Sequence, residues 1–158
     1  MRPSRTMVRM VGGVAASGLA ACAILHVVWL SSPWPFADWP AWSRAFGSSD
    51  FRVSDGIMLS VAALFAVAAC LVAACAGLLP RLGPRWLYRL GSWGVAVVLV
   101  GRAAVGFVEM PATLHDPATP ASFRETIRLY LMIYLPIFAV LGALSGYVAA
   151  RSSSRGTT

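Results

Sequence analysis

The sequence has no lysine and little charge of either sign. All 13 basic residues are arginine, and charged residues make up 12% of the 158 positions, against about 25% in soluble domains. No basic stripe is interleaved with aromatic residues, so the net charge of +7 does not indicate nucleic-acid binding. Hydrophobic residues make up 58% of the chain, which is more than one soluble core could cover. Lipid is therefore the predicted solvent for most of the chain.

Cysteine and histidine are also scarce, which limits metal and redox chemistry. Cys22, Cys70 and Cys75 form no C-x-x-C pair, so thiol–disulfide exchange is not indicated. Of the two histidines only His26 lies in an apolar run, which disfavours a haem held between two spans. We predict no metal site and expect the cysteines to be small packing residues. The sequence identifies no cofactor.

What the chain has instead is four apolar runs, each near the 20 or so residues that a spanning helix needs. Helices are the expected form because lipid cannot satisfy the backbone of an open strand. We predict an all-α integral membrane four-helix bundle, one domain over residues 1–150, followed by a disordered cytoplasmic tail at residues 151–158. The predicted spans are residues 10–31, 54–79, 87–110 and 126–150.

The arginines predict the orientation of these spans. Three segments carry arginine without any acid: the N-terminus, the link between the second and third spans, and the C-terminus. The positive-inside rule places all three in the cytoplasm. This predicts a multi-pass protein of a bacterial inner membrane with both termini inside. The acids belong to the two outward links: Asp38, Asp50, Asp55, Glu109, Asp116 and Glu125.

The N-terminus carries a second signal. "LAAC", Leu19 to Cys22, fits the pattern that is cut in bacterial lipoproteins, but apolar residues continue beyond it. We expect an uncleaved first span, and the sequence leaves open whether Cys22 is ever lipidated.

The outward links have different compositions. Trp34, Trp39 and Trp42 stand among prolines in the first link, which is typical of an aromatic belt at the headgroup level. The alternative is a lid over an outward cavity. The second link, "MPATLHDPATPASFRE", is rich in proline and is expected to be an ordinary loop.

Arg102 lies within the apolar stretch "VVLVGRAAVGF", although its guanidinium cannot lose its proton. It lies about 8 Å below the predicted outer surface, at 1.5 Å per residue, so it is expected either to snorkel outward or to have a partner. Every span contributes a polar group in its outer half. We therefore predict an outward-facing polar cluster, and a structural ion-pair network and a binding site both remain open. Its predicted members are His26, Asp55, Arg102, Glu109 and Arg128, with Glu125 pairing to Arg128.

Small residues predict close helix packing. Alanines recur at helical spacing on the first and second spans, and Gly142 and Gly146 form a G-x-x-x-G on the fourth. Whether these stripes pack the bundle or drive association with a second copy or a partner subunit is left open. Pro136 is expected to bend the fourth span and to free the carbonyl of Met132.

Three short motifs resemble a family of small bacterial four-span membrane proteins, the domain of unknown function 3995. They are "LHVVW" in the first span, "GRAAVGF" in the third, and "FRETIRLY" at the start of the fourth. The sequence departs from the family's pattern in having no Ser-Pro after Tyr130. The resemblance implies no activity, but it marks the positions of interest: His26, Trp29, Arg102, Phe107, Arg128 and Tyr130.

The leading functional hypothesis is a non-enzymatic membrane protein that binds a lipid, a quinone or a partner subunit at the polar cluster. A membrane enzyme is the second hypothesis, with His26 as acid or base and Arg102 holding an anion. A small transporter is the third. No catalytic residue is assigned, and the bilayer is the one partner that the sequence predicts directly.

Overall fold

A computed structural model describes residues 4–34, 36–40, 42, 54–117, 119 and 121–152, without the side chains of residues 122, 123, 125 and 126. Four helices in this part of the chain are long and apolar enough to cross a membrane. The predicted all-α fold is confirmed. The elements are α1 (Arg5–Val28), α2 (Asp55–Ala76), α3 (Arg85–His115), α4 (Ala121–Leu129), a π-helical turn (Tyr130–Tyr134) and α5 (Leu135–Ser152).

Capping residues set the ends of α1 and α2. The Ser4 hydroxyl accepts a hydrogen bond from the Met7 amide at 3.2 Å, so α1 begins before the predicted residue 10. The Ser54 hydroxyl accepts in the same way from the Ile57 amide at 3.4 Å. Gly77 adopts a left-handed conformation with φ 79° and ends α2 just before the predicted residue 79. Such caps satisfy amides and carbonyls that a helix end leaves without intrahelical partners.

Neighbouring helices run antiparallel in a four-membered ring. Along α1, Gly12 lies against Ala76 of α2, whereas His26 lies against Phe65. Helix α2 also packs on α3, α3 on α5, and α5 on α1. The start of α1 and the end of α5 therefore lie at the same end of the bundle, which we call the inner end. The opposite end, where α1 finishes and α2 begins, is the outer end under the predicted orientation.

Glycines bring α3 and α5 close together. A Cβ at Gly142 would lie 2.8 Å from Cγ2 of Val100 and 3.1 Å from its backbone nitrogen. A Cβ at Gly146 would lie 3.4 Å from Cβ of Ala96. The predicted close packing at this G-x-x-x-G is confirmed, and it occurs within one bundle.

Arg81 supports the inner end of α2. Its Nε donates to the carbonyl of Ala74 at 2.9 Å, and its Nη2 donates to the carbonyl of Cys75 at 3.0 Å. A cation at a helix C-terminus also interacts favourably with the helix dipole. The buried Cys75 thiol donates to the Ser152 hydroxyl at 3.3 Å, which ties α2 to the end of α5.

The second outward link differs from the expected loop. Helix α3 continues through Pro111 to His115, and α4 begins at Ala121. The Thr119 hydroxyl donates to the carbonyl of Thr113 at 2.8 Å, and Arg124 Nε donates to the carbonyl of Thr119 at 3.0 Å. These side chains support a short turn, which the proline content alone did not predict.

Pro136 distorts the fourth span in a specific way. A regular helix would leave the Met132 carbonyl without a donor, because proline has no N–H. The chain instead forms a π-helical turn over Tyr130–Tyr134, in which the Leu135 amide donates to the carbonyl of Tyr130. This π-bulge, a form of helix distortion that is frequent at functional sites, lies one turn before Pro136. The bend and the free Met132 carbonyl stay predictions.

Candidate functional site at the outer end of the bundle

The contacts of the described residues place the predicted polar residues in two groups at the outer half of the bundle. That the two groups form one cluster stays a prediction. His26 and Trp29 belong to a row of aromatic rings on α1 and α2. Arg102 lies on α3 beside the π-helical turn with Tyr130. No hydrogen bond or ion pair joins His26 to Arg102 in the described part of the chain.

The first group, which we call the aromatic row, is centred on His26. The imidazole Nδ1 lies 2.7 Å from the carbonyl oxygen of Cys22, one helical turn earlier. The His26 ring centroid is 5.1 Å from that of Trp29 and 5.4 Å from that of Phe65. Phe65 in turn stacks on Phe138 of α5, with 6.5 Å between centroids. The row therefore leads from the end of α1 into the bundle.

The tryptophans of the first outward link extend this row over the outer end. The Trp29 indole N–H donates to the carbonyl of Trp34 at 2.8 Å, which folds the link back on α1. Trp42 is 2% exposed and meets Trp29 edge to face at 5.7 Å, whereas Trp34 is 63% exposed. Trp42 therefore packs inside the link, whereas Trp34 faces outward. That the link lies at the headgroup level stays a prediction. Residues 43–53 of the link lie outside the described residues.

The second group, the Arg102 group, is formed by α3 and the π-helical turn. Arg102 is exposed, and its Nη1 lies 3.2 Å from where a Cβ would stand at Gly106. The side chain thus runs toward the outer end of α3, as snorkelling requires. The guanidinium lies near the Tyr130 phenol, whose ring lies 5.0 Å from that of Tyr134. Gly106 leaves room for this arrangement because it has no side chain.

The remaining predicted residues lie at the margins of these groups. Asp55 is the exposed first residue of α2, where the positive end of the helix dipole stabilises a carboxylate. Glu109 is exposed on the same side of α3 as Arg102, about 10 Å further along at 1.5 Å per residue. Arg128 is exposed on α4. None of the described side chains forms an ion pair with Arg102, Glu109 or Arg128; the side chain of Glu125, the predicted partner of Arg128, lies outside the described set.

The structure adds Phe65, Phe138 and Tyr134 to the predicted site residues. Phe65 carried a usable signal, since it is the single aromatic residue of an otherwise aliphatic and alanine-rich α2. Tyr134 follows Tyr130 by one turn, which also marks one helix face. The signal for Phe138 was weaker, because its pairing with Phe65 depends on how α2 and α5 meet.

The apolar helices and their antiparallel ring make this chain a multi-pass integral membrane protein. No curated protein and no solved structure matches it. The sequence pattern of one family, described as "Protein of unknown function (DUF3995)", matches residues 19–145. The chain belongs to this family, and the match covers both the aromatic row and the Arg102 group.

Proposed function

We propose that the protein is a non-enzymatic lipid-binding membrane protein in which the Arg102 group binds an anionic phospholipid headgroup of the outer leaflet. The observation that carries the proposal is the Arg102 guanidinium. It is exposed in the outer half of a membrane-spanning helix, and no described carboxylate neutralises it.

A guanidinium at this depth that no described carboxylate compensates favours an anion from the bilayer. It stays protonated in proteins. An arginine at the centre of a spanning helix costs about 2.5–3.5 kcal/mol by insertion measurements, and a shallower arginine such as Arg102 still carries part of that cost. A phosphate lowers that cost because it accepts two parallel hydrogen bonds from one guanidinium. The phosphate-level region is also the part of the bilayer that a snorkelling arginine reaches.

The neighbouring tyrosines suit the same ligand. A phenol hydroxyl donates hydrogen bonds to phosphate oxygens, and its ring tolerates the interface between hydrocarbon and water. Tyr130 lies near Arg102, and Tyr134 lies beside Tyr130. The exposed Arg128, two positions before Tyr130, adds a second cation at this end of the chain.

The geometry gives less support to the enzyme hypothesis. That hypothesis requires His26 as acid or base within reach of the anion that Arg102 holds. His26 instead contacts Cys22, Trp29 and Phe65 on α1 and α2, and no described interaction links it to Arg102.

The test uses a phosphatidylglycerol with a photoactivatable group near its headgroup, in nanodiscs that contain the full-length protein. After irradiation and digestion, mass spectrometry locates the crosslinks. We expect them on the π-helical turn and on α3 near Arg102. The Arg102→Gln variant should reduce them by about 10-fold or more, since a charge-assisted hydrogen bond contributes about 1.5–3 kcal/mol.

Arg89→Gln is the matched control, because it removes the same charge from an exposed position at the inner end of the same helix. It should leave the outer crosslinks unchanged. Helical circular dichroism and a monodisperse elution profile establish that each variant is folded. The proposal fails if folded Arg102→Gln keeps the crosslinks, or if Arg89→Gln reduces them equally.

A further inference from the structure

His26 has a fixed orientation that the proposed lipid site does not use. The Cys22 carbonyl only accepts, so the Nδ1 atom of His26, 2.7 Å away, must donate to it. In the neutral ring this leaves Nε2 with a lone pair that accepts hydrogen bonds. No described residue donates to Nε2, and the side chain is half-buried.

Aromatic rings lie on either side of this histidine in the row. Trp29 and Phe65 lie at centroid distances of 5.1 Å and 5.4 Å from His26, and Phe138 continues the row. A fully buried acceptor left unsatisfied costs about 1–3 kcal/mol, and Nε2 of the part-buried His26 costs less than this. A hydroxyl donor that enters the aromatic row would recover part of that cost.

The chemistry of the acceptor selects the class of ligand. An ionised phosphate diester has no proton to donate, so this is not a second site for the lipid phosphate. A glycerol hydroxyl does donate, but it has no ring to place against aromatic faces. A hydroquinone has both a hydroxyl donor and a planar ring, and ring pairs add about 0.5–1.5 kcal/mol beyond the area that they bury.

We infer that the aromatic row binds the head of a membrane-dissolved hydroquinone, whose hydroxyl donates to Nε2 of His26. This inference is independent of the proposed lipid site, because it depends on α1, α2 and α5 side chains and uses none of the Arg102 group. It concerns binding alone and includes no electron transfer.

The test measures binding of a short-tailed hydroquinone, kept under argon, to the full-length protein in nanodiscs. Tryptophan quenching gives the affinity, and the ¹⁵N resonance of histidine Nε2 reports the hydrogen bond. We expect the hydroquinone to move the His26 resonance. Its dimethyl ether, which keeps the ring but cannot donate, should bind about 10-fold more weakly, the equivalent of one neutral hydrogen bond.

Variants separate this site from general effects. His26→Phe keeps a ring against Trp29 and Phe65 but has no acceptor, so it should lower hydroquinone affinity about 10-fold in a folded protein. His115→Ala is the matched control, because His115 makes the same backbone contact, from Nδ1 to the Pro111 carbonyl at 2.6 Å, in an exposed position. It should bind as the unaltered protein does, and so should Arg102→Gln.

Three results would overturn the inference. The ether binds as tightly as the hydroquinone, His26→Phe binds with unchanged affinity, or phosphatidylglycerol moves the His26 resonance where the hydroquinone does not. Loss of lipid crosslinks in Arg102→Gln with hydroquinone binding intact would support both sites separately. Retention of the crosslinks in that variant would refute the lipid site alone.

Discussion

The Gly142→Ala variant tests the packing that holds α3 against α5. The added Cβ would lie 2.8 Å from Cγ2 of Val100 and 3.1 Å from its backbone nitrogen, whereas ordinary contacts are 3.4–4 Å. The methyl of Val100 can rotate away, but the backbone nitrogen cannot, so the helices must separate by about 0.3 Å. Overpacking of this kind costs about 1–3 kcal/mol, partly offset by up to about 1 kcal/mol of helix propensity.

Alanine variants at two further glycines give reference values for the free energy of unfolding. Gly146→Ala should be nearly neutral, because its Cβ would meet Ala96 at an ordinary 3.4 Å. Gly101→Ala on α3 should be neutral or stabilising, because nothing lies within 4 Å of the added Cβ. Stability is measured as the free energy of unfolding by sodium dodecyl sulphate titration in mixed micelles. If Gly142→Ala is as stable as Gly101→Ala, the helix contact described for Gly142 is wrong.

Other expected outcomes concern the ends of the helices. Arg81→Gln should lower the free energy of unfolding by about 1 kcal/mol, because it loses the hydrogen bonds to carbonyls at the end of α2. Arg85→Gln removes an equal charge close by and should lower the free energy of unfolding less in the same titration. Pro136→Ala restores a backbone donor, so the π-helical turn should become α-helical and rotate the preceding residues by about 100°. Cysteine crosslinking between α3 and the turn would detect this rotation. An unchanged crosslinking pattern would contradict the conclusion that Pro136 causes the π-helical turn. Trp29→Phe removes the 2.8 Å hydrogen bond to the Trp34 carbonyl, at a cost of about 1 kcal/mol. The amides of the first outward link should then exchange their hydrogens faster. Unchanged exchange rates would show that this hydrogen bond does not hold the link against α1.

The sequence was sufficient for the architecture because the apolar runs are long and lipid permits few alternatives to helices. It was less informative at helix ends, because single side chains determine the residue at which a helix begins or ends. The Ser4 cap extends α1 toward the N-terminus, and the turn supported by Thr119 shortens the second outward link. Neither feature changes the hydropathy of the segment, so hydropathy did not reveal them.

The sequence predicts how far along its helix each residue of the candidate site lies, but not the direction in which that residue faces. His26 and Arg102 both lie on apolar helices, and their similar predicted depth favours one cluster. Whether two residues meet also depends on how each helix is rotated in the ring. His26 faces Phe65 of α2, whereas Arg102 lies beside Gly106 and the π-helical turn. That rotation follows from packing contacts such as Gly142 on Val100, which a single sequence does not specify.

The most direct test of the proposed function is a solid-state NMR distance measurement between arginine guanidinium ¹⁵N and phospholipid ³¹P in liposomes that contain phosphatidylglycerol. The difference between spectra of the unaltered protein and of Arg102→Gln isolates the signal of Arg102. We predict strong ³¹P dephasing of that signal, corresponding to direct contact between the guanidinium and a lipid phosphate. An Arg102 signal that shows no dephasing would contradict the account.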